Sequence, residues 1–255
     1  MGLFRAGLAV VLLIILSVPP EGMAQAQSAP CRVLNFEGDP FTVCRAEAGK
    51  HVIRLSLRGN GGKPHRRLSM LKSGMGEAVA RVQFAMNAGM FDGKSAPIGL
   101  YVENGRQLKA INTRDGFGNF HLKPNGLFWV GQDGKPHVTT TDAYVSQKPK
   151  ATWATQSGPM LVIDGALHPR FIPDSPSRYI RNGVGVSADG SRAYFVISQG
   201  RVNFAEFARL FRDALRTPQA LYFDGNVSRL FAPDIGRRDM GFPMGPIVGT
   251  VVPAG

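Results

Sequence analysis

The strongest constraint on the fold of this chain is a set of short apolar runs, each ending in a tight turn. Asn104-Gly105, Asp164-Gly165 and Asp189-Gly190 close three of these runs, and Pro124-Asn125-Gly126 separates two more. Such pairs tolerate positive φ and favour the two-residue reversal that joins antiparallel neighbours. Ile98 to Val102 and Gln107 to Ile111 flank the first pair, and Val184 to Ser187 and Ala193 to Ile197 flank Asp189-Gly190. Strands are also expected at His51–Leu57, Phe84–Met86, Phe120–Lys123, Leu127–Val130, Met160–Ile163, Leu221–Phe223 and Ile247–Val252. Two helices fit the pattern. Leu68–Val82 is one, interrupted by Gly74 and Gly76. The other starts at Asn203, an N-cap with Glu206 three residues on, and carries Phe204, Phe207, Ala208, Phe211 and Leu215 on one face. Many hairpins with a few packed helices indicate an α+β fold on a largely antiparallel or mixed sheet.

Residues 1–24 read as a signal peptide. Arg5 precedes an apolar run from Ala6 to Val18, and small residues follow at Gly22-Met23-Ala24. That run is short for a bilayer crossing, and no later segment is apolar enough, so no stable membrane span is expected after the signal is removed. Residues 25–255 are long enough for one sizeable core and read as a single domain. Cys31 and Cys44 are the only cysteines; in an exported chain such a close pair is read as a disulfide closing a small loop. No His or Cys cluster has metal-ligand spacing, and nothing in the sequence specifies a cofactor. The signal segment holds one Arg and one Glu, so the net charge of +12 belongs to the rest of the chain. It favours anionic partners such as an envelope polymer, while the absence of any nucleic-acid motif argues against nucleic acid.

The signatures of serine hydrolases with a nucleophile elbow, of zinc proteases and of P-loop enzymes are missing. What remains is a set of polar turns at strand ends: Asn87-Ala88-Gly89-Met90-Phe91, Lys123-Pro124-Asn125-Gly126, Gln156-Ser157-Gly158-Pro159, Arg181-Asn182-Gly183-Val184-Gly185 and Asp224-Gly225-Asn226-Val227-Ser228. Asp224 is a turn-former by type, but it follows an apolar run and is placed to face a cleft.

The order N-[AG]-G-[MF]-F, S-G-P-x-L-V, R-N-G-V-G and [FL]-D-G-x-x-S resembles the phosphodiester glycosidase family, from about Phe84 to Gly249. The resemblance implies hydrolysis of a glycosyl phosphodiester at the anomeric carbon, releasing sugar and a phosphomonoester. The departing phosphate is weakly basic, so one carboxylate can suffice where ordinary glycosidases use two. Asp224 is expected to be that carboxylate. Arg181, with its two-pronged guanidinium, is expected to hold the phosphate. Asn87, Asn125, Gln156 and Asn182 offer amides, Ser157 and Ser228 hydroxyls, and Lys123 a cation for substrate. Gly89, Gly158 and Gly225 allow tight backbone geometry. His121, alternating with Leu122 on the expected strand, is a candidate acid or metal ligand. The chain departs from the family's D-G-G-G-S by placing Asn226 and Val227 where glycines usually stand. That departure motivates an alternative, a carbohydrate-binding protein on the same fold without catalysis.

Overall fold

Two-residue turns organise the chain from its first hairpin onward. The computed structural model describes residues 1–2, 29–59, 62, 65, 82–241 and 244–251. The expected signal segment beyond its first two residues, and the expected Leu68–Val82 helix before Val82, lie outside the described residues. Glu37-Gly38, with φ of 50° and 87°, turns β1 (Cys31–Phe36) back into β2 (Asp39–Glu47). β3 (Val52–Ser56) and β4 (Val82–Asn87) follow. Asn104-Gly105, with φ of 51° and 74°, joins β5 (Tyr101–Glu103) to β6 (Arg106–Lys109). Next come β7 (Gly126–Gly131), β8 (Pro136–Thr140), helix α1 (Thr141–Gln147) and β9 (Ala151–Ser157). Asp164-Gly165, again with both φ positive, joins β10 (Met160–Ile163) to β11 (Ala166–Leu167). β12 (Asn182–Val186) and β13 (Arg192–Ser198) flank Asp189-Gly190. Helix α2 (Phe204–Arg209) leads through a wider π turn at Leu210–Ala214 to β14 (Gln219–Asp224), β15 (Leu230–Ala232), β16 (Arg237–Arg238) and β17 (Ile247–Val251).

These strands form three sheets, and the neighbouring strands pair antiparallel. The largest runs β1-β2-β13-β12-β14-β10-β11; the others run β16-β15-β4-β17-β3 and β6-β5-β9-β7-β8. With so little helix among the described residues, the architecture is more β-rich than a balanced α+β fold. Alternation along the large sheet buries both of its faces. Phe195, Ile197, Leu221 and Phe223 point toward the other two sheets, where they meet Phe84, Met86, Tyr101 and Phe128. Phe41, Val43, Val196 and Tyr222 point the other way, onto Phe207, Ala208 and Phe211 from α2 and its π turn.

The capping box is present in full: Asn203 Oδ1 accepts from Glu206 N at 2.9 Å, and Asn203 N donates to Glu206 Oε2 at 2.9 Å. Cys31 and Cys44 are disulfide-bonded and stand directly opposite each other on β1 and β2. No helix among the described residues is long and apolar enough to cross a membrane.

One expected strand is absent. Phe120–Lys123 does not pair; Asn119–His121 is instead a short 3-10 turn. Gly118, at φ 83°, opens this turn, Asn125 Nδ2 ties down Phe120 O at 2.8 Å, and Pro124 has no N–H to give a ladder. Asn125-Gly126 therefore ends a loop, and β7 pairs with β8 and β9.

Candidate active site

Asp224 is the last residue of β14 and stands opposite Asn182 on β12. The ladder pairs Gly183 with Tyr222 and Asn182 with Asp224, leaving Phe223 as an extra residue. This bulge kinks β14 just where it leaves the sheet. Past it the chain wraps around the carboxylate. Asp224 Oδ1 accepts from Gly225 N at 2.6 Å and Asn226 N at 2.9 Å, while Ser228 Oγ donates to Asp224 O at 3.1 Å. Burial pushes the Asp224 carboxyl above the ordinary aspartate range. The N–H groups of Asn226, Gly225 and Val227 and the charge of Arg229 oppose that shift without cancelling it.

Asp224 lines a cleft of about 580 Å³. Met90, Phe91, Ile98 and Val227 give it apolar walls, and Asn119, Ser177, Tyr179 and Tyr222 give it hydroxyl and amide groups. A second carboxylate, Asp92, also lines it. Asp92 Oδ1 accepts from Lys94 N at 2.8 Å and Ala96 N at 3.0 Å. Those bonds, the one from Ala96 foremost, hold its pKa below the ordinary value. The cleft thus contains two carboxylates shifted in opposite directions.

Behind the cleft wall lies a buried amide network. Asn87 and Asn182 are fully buried, and their carboxamides pair reciprocally at 3.3 Å in both directions. Asn182 Nδ2 also donates to Asn87 O at 2.8 Å, and Asn87 Oδ1 accepts from Arg229 N at 2.8 Å. Ser228 Oγ reaches Asn182 Oδ1 at 3.2 Å and Ile180 O at 3.0 Å. This network joins β4, β12 and the Asp224 turn. A second one holds the loop that carries Asn119. Gln156 Oε1 accepts from Leu100 N and Asn112 N, both at 2.9 Å, and its Nε2 donates to Asn112 O and Thr141 Oγ1. Thr141 Oγ1 in turn donates to Asn125 Oδ1 at 2.7 Å.

Arg181 is buried as well, at 1% exposure. Its Nε donates to Val202 O at 2.8 Å, Nη2 to Ser177 O at 2.8 Å and Nη1 to Tyr222 Oη at 3.3 Å. Its guanidinium carbon lies 3.7 Å from the centre of the Phe204 ring. Phe204 stacks on Phe171, and Phe171 on His168, so an aromatic column runs up to the guanidinium. Burial lowers the Arg181 pKa.

Of the residues singled out in the sequence, Asp224 and Gly225 line the cleft, together with Met90, Phe91, Asn226 and Val227 of the same turns. Asn87, Asn125, Gln156, Ser157, Arg181, Asn182 and Ser228 are buried and do not line it. Ser157 Oγ donates to Phe223 O at 3.0 Å, which ties β9 to β14. Gly89 and Gly158 are packing glycines: a Cβ on Gly89 would come within 2.5 Å of Gln156 O, and one on Gly158 within 2.6 Å of the Asn125 Cβ. Lys123 is exposed and ion-paired with Asp115 at 2.7 Å, and His121 Nδ1 faces Arg114 O. Sequence reasoning missed Tyr222, Tyr179, Ser177, Asn119 and Asp92 as cleft residues. Tyr222 had a signal, since it stands two residues before Asp224 on one strand. Among the described residues no group of three or more His, Cys, Asp or Glu is placed to hold a metal ion.

A family model described as phosphodiester glycosidase matches residues 80–238. The uncharacterized protein YigE of Escherichia coli (strain K12) is 43% identical over 151 residues, 59% of this chain and 58% of that protein. The match thus spans less than two thirds of the relative's length. Among solved structures, the zebrafish N-acetylglucosamine-1-phosphodiester alpha-N-acetylglucosaminidase catalytic domain, auto-inhibited by its pro-peptide, superposes with a TM-score of 0.58. It is 14% identical, with 88% of this chain and 82% of that one covered. A hypothetical protein from Synechocystis gives 0.54 at 14% identity, covering 88% and 61%. A putative exported protein from Burkholderia pseudomallei K96243 gives 0.53 at 10%, covering 84% and 74%. At such identities these three likenesses concern the fold.

Proposed function

The chain belongs to the phosphodiester glycosidase family, and on that premise we propose that it is an exported hydrolase that cleaves a glycosyl phosphodiester at the anomeric carbon. Water adds its oxygen to that carbon, the bond from carbon to phosphate oxygen breaks, and sugar and phosphomonoester are released. The observation that carries this reading is the Asp224 carboxylate, held by backbone N–H groups at a strand end in the wall of the cleft. In its ionised form it stabilises positive charge at the anomeric carbon or takes a proton from water. Its backbone bonds fix it in place, so little reorganisation is needed as charge develops. Asp92 adds a second negative charge to the same cleft. The reading of residues 1–24 as a signal peptide and the Cys31–Cys44 disulfide support export to an oxidising compartment.

The test is turnover of a panel of sugar-1-phosphodiesters in water labelled with heavy oxygen. Label in the sugar supports glycosidic cleavage, whereas label in the phosphate means that the phosphorus–oxygen bond is cut. Asp224→Asn is expected to lower kcat by about 10²–10⁴-fold with the fold intact. Full activity in that variant refutes the role given to Asp224. A second reading, saccharide binding without turnover, draws on Val227 and Asn226, which line the cleft beside Asp224 and depart from the D-G-G-G-S motif the sequence otherwise resembles. Tight binding of a saccharide together with no release of sugar or phosphomonoester from any of the panel favours it.

A further inference from the structure

The guanidinium of Arg181 meets no carboxylate at ion-pairing distance among the described residues. Its charge rests on the face of Phe204 and on three neutral acceptors. One of those acceptors belongs to the cleft wall. The Tyr222 side chain is 1% exposed and lines the cleft, and its hydroxyl oxygen receives the Arg181 Nη1–H at 3.3 Å. That oxygen lies over Gly225, so close that a Cβ at position 225 would come within 2.1 Å of it. Its own O–H donates to no described residue.

A hydroxyl that accepts from a cation turns its proton away from that cation, and the polarisation strengthens its donation. We propose that the Tyr222 hydroxyl donates to a phosphoryl oxygen of the substrate, and that Arg181 is a positioning residue that orients and polarises it from beneath. The proposal rests on reading the cleft as a glycosyl phosphodiester site. Burial raises the phenol's pKa, so it keeps its proton at neutral pH. The phosphoryl group then lies along the Tyr222, Tyr179 and Ser177 wall, leaving Met90, Phe91 and Ile98 to the sugar. The arrangement also bears on turnover. An exposed guanidinium would grip the phosphomonoester product through two oxygens. A single hydroxyl makes one directional bond, which strengthens as charge builds on the departing oxygen.

Calorimetric titration of wild type, Tyr222→Phe and Arg181→Met with inorganic phosphate, N-acetylglucosamine 1-phosphate and free N-acetylglucosamine tests this. Circular dichroism identifies the variants that are folded. Tyr222→Phe is expected to lose about tenfold or more in affinity for the phosphate-bearing probes, as for one charge-assisted hydrogen bond, with the free sugar unaffected. Arg181→Met, if folded, should lose a similar factor, and the double variant no more than either alone; if it does not fold, Tyr222→Phe decides. The proposal is overturned if wild type binds neither phosphate-bearing probe. It is also overturned if Tyr222→Phe leaves their affinity unchanged or weakens the free sugar equally. Turnover of a phosphodiester is read separately. The expected binding pattern without turnover sinks the hydrolytic reading and leaves Tyr222 in place. Turnover with unaltered phosphate affinity in Tyr222→Phe sinks only the assignment of Tyr222.

Discussion

Asn87 and Asn182 pair their buried carboxamides with each other, and breaking that pair should carry a defined cost. In Asn182→Ala, the buried Asn87 Nδ2 loses its acceptor and Asn87 O loses a donor at 2.8 Å. Ser228 Oγ keeps Ile180 O and Asp224 O, so it is not orphaned. One unsatisfied buried donor costs about 1–3 kcal/mol and the small void adds to it, so the variant should lose about 3 kcal/mol. Asn87→Ala leaves Arg229 N without its 2.8 Å acceptor and should cost a similar amount. The double variant removes the stranded amide together with the group that stranded it. Its cost should fall short of the sum by about 1–2 kcal/mol. Urea unfolding of the four proteins measures the cycle. If the two costs add to within about 0.5 kcal/mol, the pair is not the coupled unit described. Wild-type stability in both single variants, with loss of ligand affinity, would mean that these amides face substrate instead.

The pH dependence of kcat/KM offers another test. If Asp224 acts as a carboxylate, the acid limb should lie above the ordinary aspartate value, because burial raises its pKa; a limb in the ordinary range counts against the assignment. The stability effect has a defined sign. The folded state holds the Asp224 proton more tightly than the unfolded state, so this group's contribution is full below about 3.8 and is lost as pH rises through its folded value. Asp224→Asn should therefore be at least as stable as wild type at neutral pH by chemical denaturation. Gly225→Ala should displace the Tyr222 hydroxyl and cost about 1–3 kcal/mol in thermal unfolding; a neutral effect would show that the close approach is not as drawn. Cys31→Ala/Cys44→Ala should lose about 3 kcal/mol in urea, the loop-closure value for this short separation, and an unchanged midpoint would refute it.

Local signals carried much of the fold. Asn104-Gly105 and Asp164-Gly165 turn with positive φ as their side chains favour, and Asn203 and Glu206 form both bonds of their box. The hairpin at Glu37-Gly38 was not legible, because Glu rarely takes φ > 0 and only the disulfide across it hinted at the pairing. Phe120–Lys123 read as a strand by alternation, but Asn125 holds its backbone in a turn from outside the segment. For the site, a polar residue at a strand end looks the same whether it faces solvent, cleft or a neighbouring sheet. Asp224 lines the cleft, whereas Asn87, five strand positions after Val82, meets Asn182 across a sheet boundary. Only the packing of three sheets decides between those outcomes. Arg181 was legible as a cation at a strand end and was expected on the phosphate, but it is buried and does not line the cleft. Its enclosure by Val202, Ser177 and Phe204 was not legible, since these come from a loop and a helix that fold back over it.

The capping box at Asn203 has a consequence beyond ending a helix well. Phe204, the first residue of α2, is the ring on which the Arg181 guanidinium lies. Helix ends normally open far more readily than helix centres. Here the end that would fray first is latched by reciprocal bonds, and Glu206 is further clamped by Arg178. Helix α2 runs only 6 residues before its geometry changes. Its best-formed turn is devoted to immobilising a single aromatic ring, so that a charge directly beneath the cleft wall stays still.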